Sequence, residues 1–180
     1  MTLTLLRHPR PRVAPGLCYG RLDLAPGEGA PREIAAVLAA LPPVSAVLTS
    51  PTRRCLALAT AVAAREGLPL CRDARLQELD FGRWEGRRWD EIDRRESDPW
   101  AEDPLNRAPP GGERFADLLA WVGAVLGAAP PGAALICHAG PIRAARMLAD
   151  GIGFDAAFAA PVPYAEPIRI AWPPRAAAAG

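Results

Sequence analysis

The chain has 180 residues, half of them hydrophobic and 23% charged, and a formal net charge of +1. That length suits a single globular domain, 1–180, with a substantial core, and the composition excludes a disordered chain. A net charge near zero excludes a general attraction to nucleic acid or a membrane surface, so any anion site must be local.

The first predicted element is a buried strand, "TLTLL" (2–6), which runs directly into Arg7 and His8. A loop rich in Pro and Gly follows, through "APGEGAP". "REIAAVLAAL" (32–41) has helical spacing, with Ile34, Val37, Leu38 and Leu41 on one face, and Pro42 and Pro43 stop it. "SAVLTS" (45–50) reads as a second strand. "PTRRCLALATAVAAREG" (51–67) opens on proline and closes on glycine, as helices favour. "LPLCR" (68–72) is a third strand.

Residues 73–112 are less regular and hold three of the five tryptophans, with a short helix expected at "WDEIDRRES" (89–97) and a turn at "APPGG" (108–112). "ERFADLLAWVGAVLGAA" (113–129) reads as a helix with Glu113 in its first turn, where a carboxylate complements the dipole. "AALIC" (133–137) is a strand, "GPIRAARMLADG" (140–151) a helix, and "EPIRIAW" (166–172) a last strand before a loose tail at about 173–180. Strands alternating with helices predict an α/β layered fold, a mainly parallel sheet with helices on both faces. Ligands in such folds bind beyond the carboxyl ends of the strands.

Two stretches invite other readings. Leu118–Ile142 carries no charge and is long enough to suggest a membrane span, but Pro130, Pro131 and Gly132 divide it into a buried helix and a buried strand. Cys18, Cys55, Cys71 and Cys137 are widely separated, with no CxxC pair, so reduced thiols in a cytoplasm are the simplest account. No secretory signal is visible, since Arg7 interrupts a short apolar start. Neither a Walker motif nor a GxGxxG follows the first strand, which weighs against a nucleotide-binding domain.

The chain has only two histidines, and each stands just after a predicted strand: His8 after "LTLLR" and His138 after "AALIC". The second strand delivers Arg53 and Arg54 into a helix's first turn, where free N–H groups already favour an anion. All 21 basic side chains are arginine, whose planar fork of donors suits phosphate oxygens. "RLQELDFGRWEG" (75–86) sets Glu78 among Leu76, Leu79 and Phe81, an apolar setting suited to a proton donor, with Asp80 and Glu85 as competitors.

"LLRHPRP", "TSPTRRC", "LQELDFGRWEG" and "LICHAGPIRA" resemble, in order, the four motifs of the histidine phosphatase superfamily, with its phosphoglycerate-mutase-like fold. The stretch "RHPRPRVAPGLCYGRLD" looks most like the alpha-ribazole phosphatase branch, which acts late in cobalamin biosynthesis. The resemblance implies a metal-independent phosphomonoester hydrolase with no cofactor. It implies that His8 is the nucleophile, that Arg7, Arg54 and His138 hold the phosphoryl oxygens, and that Glu78 protonates the leaving oxygen. Arg54 rather than Arg53 lies four residues after the motif's Ser50. Tyr19, Gly20 and Ala139 match positions that touch substrate, and Pro110-Gly111-Gly112-Glu113 resembles a loop near the pocket, with Arg114 at its usual serine. The chain departs from the common pattern at Pro9, where glycine is usual, and at Pro11 and Ala14, which replace a hydroxyl residue and an asparagine.

The chemistry suits the residue types. A phosphomonoester carries about two negative charges near pH 7, and imidazole can meet it uncharged. Attack by His8 divides hydrolysis into transfer to the ring and transfer to water. Guanidinium groups and a second imidazole then stabilise charge on the three phosphoryl oxygens. The expected partner is a small phosphomonoester, with neither nucleic acid nor membrane. Trp84, Trp89, Trp100 and Tyr19 are the side chains able to stack on a flat ring such as a benzimidazole, or else to plug the irregular region. A phosphoglycerate-type mutase, a phosphatase of another small ester, and a non-catalytic binding protein are the alternatives.

Overall fold

The computed structural model describes residues 1–173; the expected loose tail lies largely outside them. Five strands, β1 (Thr2–Arg7), β2 (Val47–Thr49), β3 (Leu70–Arg72), β4 (Ala134–Cys137) and β5 (Pro167–Ala171), form one sheet in the order β3-β2-β4-β1-β5. All neighbours are parallel except β5, which runs antiparallel to β1 along an edge. Pro167 is tolerated there because an edge strand has one row of N–H groups with no ladder to fill.

The helices are α1 (Ala30–Ala40), α2 (Arg53–Glu66), α3 (Arg94–Glu102), α4 (Phe115–Ala128), α5 (Ala139–Asp150) and α6 (Phe154–Ala159). Alternation along β1 assigns the two faces of the sheet. Leu3 and Leu5 pack with Leu118, Val122 and Ile142 from α4 and α5, whereas Leu6 packs with Val37, Leu58 and Val62 from α1 and α2. Each such buried aliphatic side chain contributes about 1.5–3 kcal/mol by leaving water. The expected three-layer α/β architecture is therefore present, and the uncharged stretch 118–142 divides into α4 and β4 around a Pro-Gly turn. Among the described residues no helix is long and apolar enough to cross a membrane.

Local departures have local causes. The α2 helix starts at Arg53, with Thr52 as its N-cap, two residues after the proline expected to open it. The helix expected at 89–97 is a single 3-10 turn, Trp89–Glu91, followed by α3; the Asp93 carboxylate accepts from the Arg95 N–H and starts a new helix there. Glu113 lies before α4 rather than in its first turn, and Asp117 takes that place. The six-residue α6 was not expected; Phe154 and Phe158 on it stack with ring centres 4.0 Å apart and meet Phe115 of α4 edge-on.

Candidate active site

Strand register brings the two histidines together. β1 and β4 are parallel neighbours with Arg7 opposite Cys137, so the next residue of each strand, His8 and His138, emerges at the same carboxyl edge. Their ring centres are 5.0 Å apart. On the other side of β4, Thr49 faces Ile136, and the Ser50 N–H continues the ladder to the Ile136 carbonyl. Ser50 Oγ thereby lies 2.9 Å from His138 Nε2. Residues distant in sequence meet because three central strands end level.

His8 is buried, and its Nδ1 lies 2.7 Å from the Pro9 carbonyl oxygen. A carbonyl only accepts, so Nδ1 carries the proton, and in the neutral ring Nε2 holds the lone pair. Burial is the main reason that the ring's pKa falls to about 3, and the nearby Arg54 and Arg7 charges lower it further against the Pro9 hydrogen bond. The ring is thus neutral at pH 7. Proline at position 9 removes an N–H but supplies the one group His8 needs, a fixed carbonyl. His138, fully buried, is likewise held well below its ordinary value, first by burial and then by His8 and the two arginines.

The arginines are placed by backbone. Arg54 is fully buried, donating to the Gly20 carbonyl at 2.6 Å and the Leu22 carbonyl at 2.5 Å. Arg7 donates to the Val162 carbonyl at 2.7 Å and lies 3.6 Å from the centre of the Tyr164 ring. Neither guanidinium has a carboxylate partner among the described residues. Arg53 is exposed, and its backbone N–H donates to Asp23, so the start of α2 is served by a protein carboxylate. Arg7 Nε, Arg54 Nε and His138 Nδ1 are all buried without a hydrogen-bond partner. Native proteins rarely leave such groups unsatisfied, and three in one place call for a ligand with several acceptor oxygens.

Glu78 borders the same pocket as Arg7, His8, Tyr19 and Arg143. It is not surrounded by apolar atoms alone, as the sequence suggested: both oxygens accept from the Gly140 N–H of α5, at 3.0 and 3.1 Å, and Oε1 also accepts from the Leu79 N–H. The competing carboxylates are otherwise engaged. Glu85 accepts from the Arg21, Leu22 and Phe81 N–H groups, and Asp80 from that of Gly82.

The other expected contacts fall at different depths. Tyr19 lines the pocket and its hydroxyl meets that of Tyr164 at 3.0 Å. Gly20 lies behind Arg54, where an added Cβ would come within 1.9 Å of the Leu79 carbonyl. Ala139 is the first residue of α5, a position whose N–H has no intrahelical partner. The loop 110–113 packs behind Asp80–Gly82, through the Glu113 N–H to the Asp80 carbonyl and the Arg83 N–H to the Pro110 carbonyl, and does not line the His8 pocket. Trp84 is fully buried with its N–H donated to Glu96, so it plugs the core; Trp89 lines the pocket mouth. Sequence reasoning missed Tyr164 and Arg143. Tyr164, one of only two tyrosines, sits in "PVPYAEP" outside every motif, and nothing local marks it. Arg143 lies within a quoted motif, five residues after His138 on the helix that His138 caps, a signal that was available.

Comparison with known proteins places the fold in a family. Residues 3–178 match the Histidine phosphatase superfamily (branch 1), and the chain belongs to that family, whose members are phosphatases or mutases. Among solved structures it is similar to TTHB049 from Thermus thermophilus, at 26% identity and a TM-score of 0.76 over 97% of this chain and 96% of that one. It is also similar to a phosphoglycerate mutase from the same organism, at 26% identity and a TM-score of 0.75 over 97% and 95% of the two chains. A mycobacterial glucosyl-3-phosphoglycerate phosphatase shares the fold, with 23% identity and a TM-score of 0.71 over 83% and 79%. The bifunctional protein Rv2228c of Mycobacterium tuberculosis is 34% identical over 124 residues, 65% of this chain; the match spans about a third (34%) of that longer protein.

Proposed function

We propose that this protein hydrolyses a small phosphomonoester through a phosphohistidine on His8, and that the ester is alpha-ribazole 5'-phosphate. The observation that carries the hydrolase reading is the set of three unpaired buried nitrogens, on Arg7, Arg54 and His138, around a neutral imidazole. Two cations without a carboxylate partner require an anion, and a phosphoryl group supplies both the charge and the three oxygens.

The steps follow from the atoms. His8 Nε2 attacks phosphorus; the P–N bond forms as the P–O ester bond breaks, and Nδ1–H stays on the Pro9 carbonyl. Arg7, Arg54 and His138 hold the three nonbridging oxygens, and each such donor is worth on the order of 3 kcal/mol of barrier. Ser50, donating to His138 Nε2, leaves the proton on Nδ1, the nitrogen free for the anion. Glu78 is the general acid that delivers a proton to the leaving alkoxide. It then takes a proton from the water that attacks phosphorus and breaks the P–N bond.

The finer substrate rests on the similarity of "RHPRPRVAPGLCYGRLD" to the alpha-ribazole phosphatase branch. A mutase is the second reading, favoured by the likeness to a phosphoglycerate mutase. The test is a screen of purified protein against phosphomonoesters, including alpha-ribazole phosphate and a phosphoglycerate, with acid-labile phosphate trapped on the enzyme. Wild type should release inorganic phosphate and trap label, and His8→Ala should trap none. Isomerised phosphoglycerate without net phosphate release would favour the mutase, and label on the His8→Ala variant would defeat both readings.

A further inference from the structure

Arg7 stands between two spaces. On one side it lines the His8 pocket, and on the other a groove bordered by Arg10, Val162 and Tyr164. The Arg7 guanidinium carbon lies 3.6 Å from the centre of the half-buried Tyr164 ring, so the cation sits on the ring's face. A guanidinium donates from its edge, in its own plane. A ring against its face therefore restrains it without taking an N–H group from a phosphoryl oxygen. A carboxylate in that place would neutralise the charge and compete with the anion.

The main chain fixes where the ring stands. The Val162 carbonyl accepts from the Arg7 side chain, and the Ala165 N–H donates to the Arg7 carbonyl at 3.0 Å, so the segment 162–165 grips Arg7 at both ends. Ala165 has a φ of 50°, and it is the one non-glycine residue with a positive φ among the described residues. A side chain disfavours that left-handed conformation, and backbone held there against its preference is characteristic of functional sites. The tip of the ring extends the support. The Tyr164 hydroxyl lies 3.0 Å from that of Tyr19, whose ring centre is 5.7 Å from the Arg54 guanidinium. Two tyrosines thus bridge the two arginines, whose like charges repel each other until an anion arrives.

We propose that Tyr164 is a positioning residue of the phosphoryl pocket: its ring carries the Arg7 guanidinium by the face, and its hydroxyl ties that support to Tyr19 beside Arg54. The inference rests on the phosphatase reading of the His8 pocket and adds to it the device that holds Arg7 ready. A second guanidinium, that of exposed Arg10, lies 4.7 Å from the same ring centre and is the competing client.

The test varies the ring's charge and keeps its shape. Tyr164→Phe loses the hydroxyl tie alone, and kcat/KM for p-nitrophenyl phosphate should stay within about threefold of wild type. Phenylalanines carrying successively more ring fluorines at position 164 drain the negative face. Across that series kcat/KM should fall stepwise by about tenfold, while urea midpoints show that each variant folds. The same slope should persist in Arg10→Met. A flat series, a Tyr164→Phe loss above tenfold, or a slope that vanishes in Arg10→Met would overturn the proposal. Failure of the phosphatase reading shows separately, as wild type that turns over no ester and traps no phosphohistidine. The series is then read by calorimetry as the Kd for inorganic phosphate, which should rise about tenfold; a constant Kd, or no phosphate bound by wild type, ends the proposal.

Discussion

Gly140 offers the sharpest probe of the proton donor. Its N–H holds both oxygens of Glu78, and a Cβ added there would lie 2.0 Å from Glu78 Oε1. Carbon and oxygen do not approach within 3.0 Å, so in Gly140→Ala the carboxylate must retreat by about 1 Å. A displacement of that size costs on the order of a hundredfold in a positioned catalytic step, and complete loss of acid–base help costs up to about ten-thousandfold. The loss should depend on the leaving group. An alkyl phosphate needs a proton on its departing oxygen, whereas p-nitrophenolate leaves nearly unaided. We expect kcat/KM for an alkyl phosphate to fall about a hundredfold and that for p-nitrophenyl phosphate by less than tenfold. Glu78→Gln, which removes the proton without adding a Cβ, should show the same asymmetry. The assay is steady-state phosphate release with both esters, beside urea unfolding to check that the variants fold. Helix propensity favours alanine by up to about 1 kcal/mol, offsetting part of the lost hydrogen bonding. Equal losses on the two esters in both variants would refute the assignment of Glu78 as the acid.

Pro9→Gly keeps the carbonyl that orients His8, so phosphohistidine formation should stay within about threefold and stability should drop by no more than about 1 kcal/mol; a tenfold loss in single-turnover labelling would show that the proline ring itself matters. Gly20→Ala places a Cβ 1.9 Å from the Leu79 carbonyl, and the segment whose Gly20 and Leu22 carbonyls hold Arg54 must shift. Stability should fall by about 1–3 kcal/mol, and kcat/KM by more than that fraction unfolded explains; denaturant curves beside kinetics measure both. Both histidine pKa values are lowered in the fold, so below about pH 6.5 the unfolded chain binds protons that the native chain does not. Stability should therefore be level above that pH and decline on acidification. Between pH 7.5 and 5.5 His8 should remove about 1.4 kcal/mol, with a further loss from His138, and His8→Asn should lessen the decline. A pH-independent midpoint in urea over that range would show that the rings are not held neutral.

Much of the fold was legible in the chain. Alternating strand and helix signals, the split of 118–142 at Pro130–Gly132, and the glycine that ends α2 at Gly67 in a left-handed conformation are local preferences that survive packing. The short helix α6 was not legible, since six residues carry too little periodicity; its phenylalanines find partners only on α4. Motif order nominated His8, Arg54, Glu78 and His138, yet did not say what holds them. The Pro9 carbonyl, the two carbonyls on Arg54 and the Gly140 N–H are main-chain groups, which every residue owns and which no letter of the sequence marks.

By itself the sequence nominated side chains suited to phosphoryl chemistry and set each of its two histidines just after a strand, because strand propensity and residue identity are local properties. Only the tertiary structure decided that β4 lies between β1 and β2, in a register that sets His138 beside both His8 and Ser50. Strand order and register come from the cooperative packing of both sheet faces, and so does the burial that keeps the imidazoles neutral and leaves the arginines without a counter-charge.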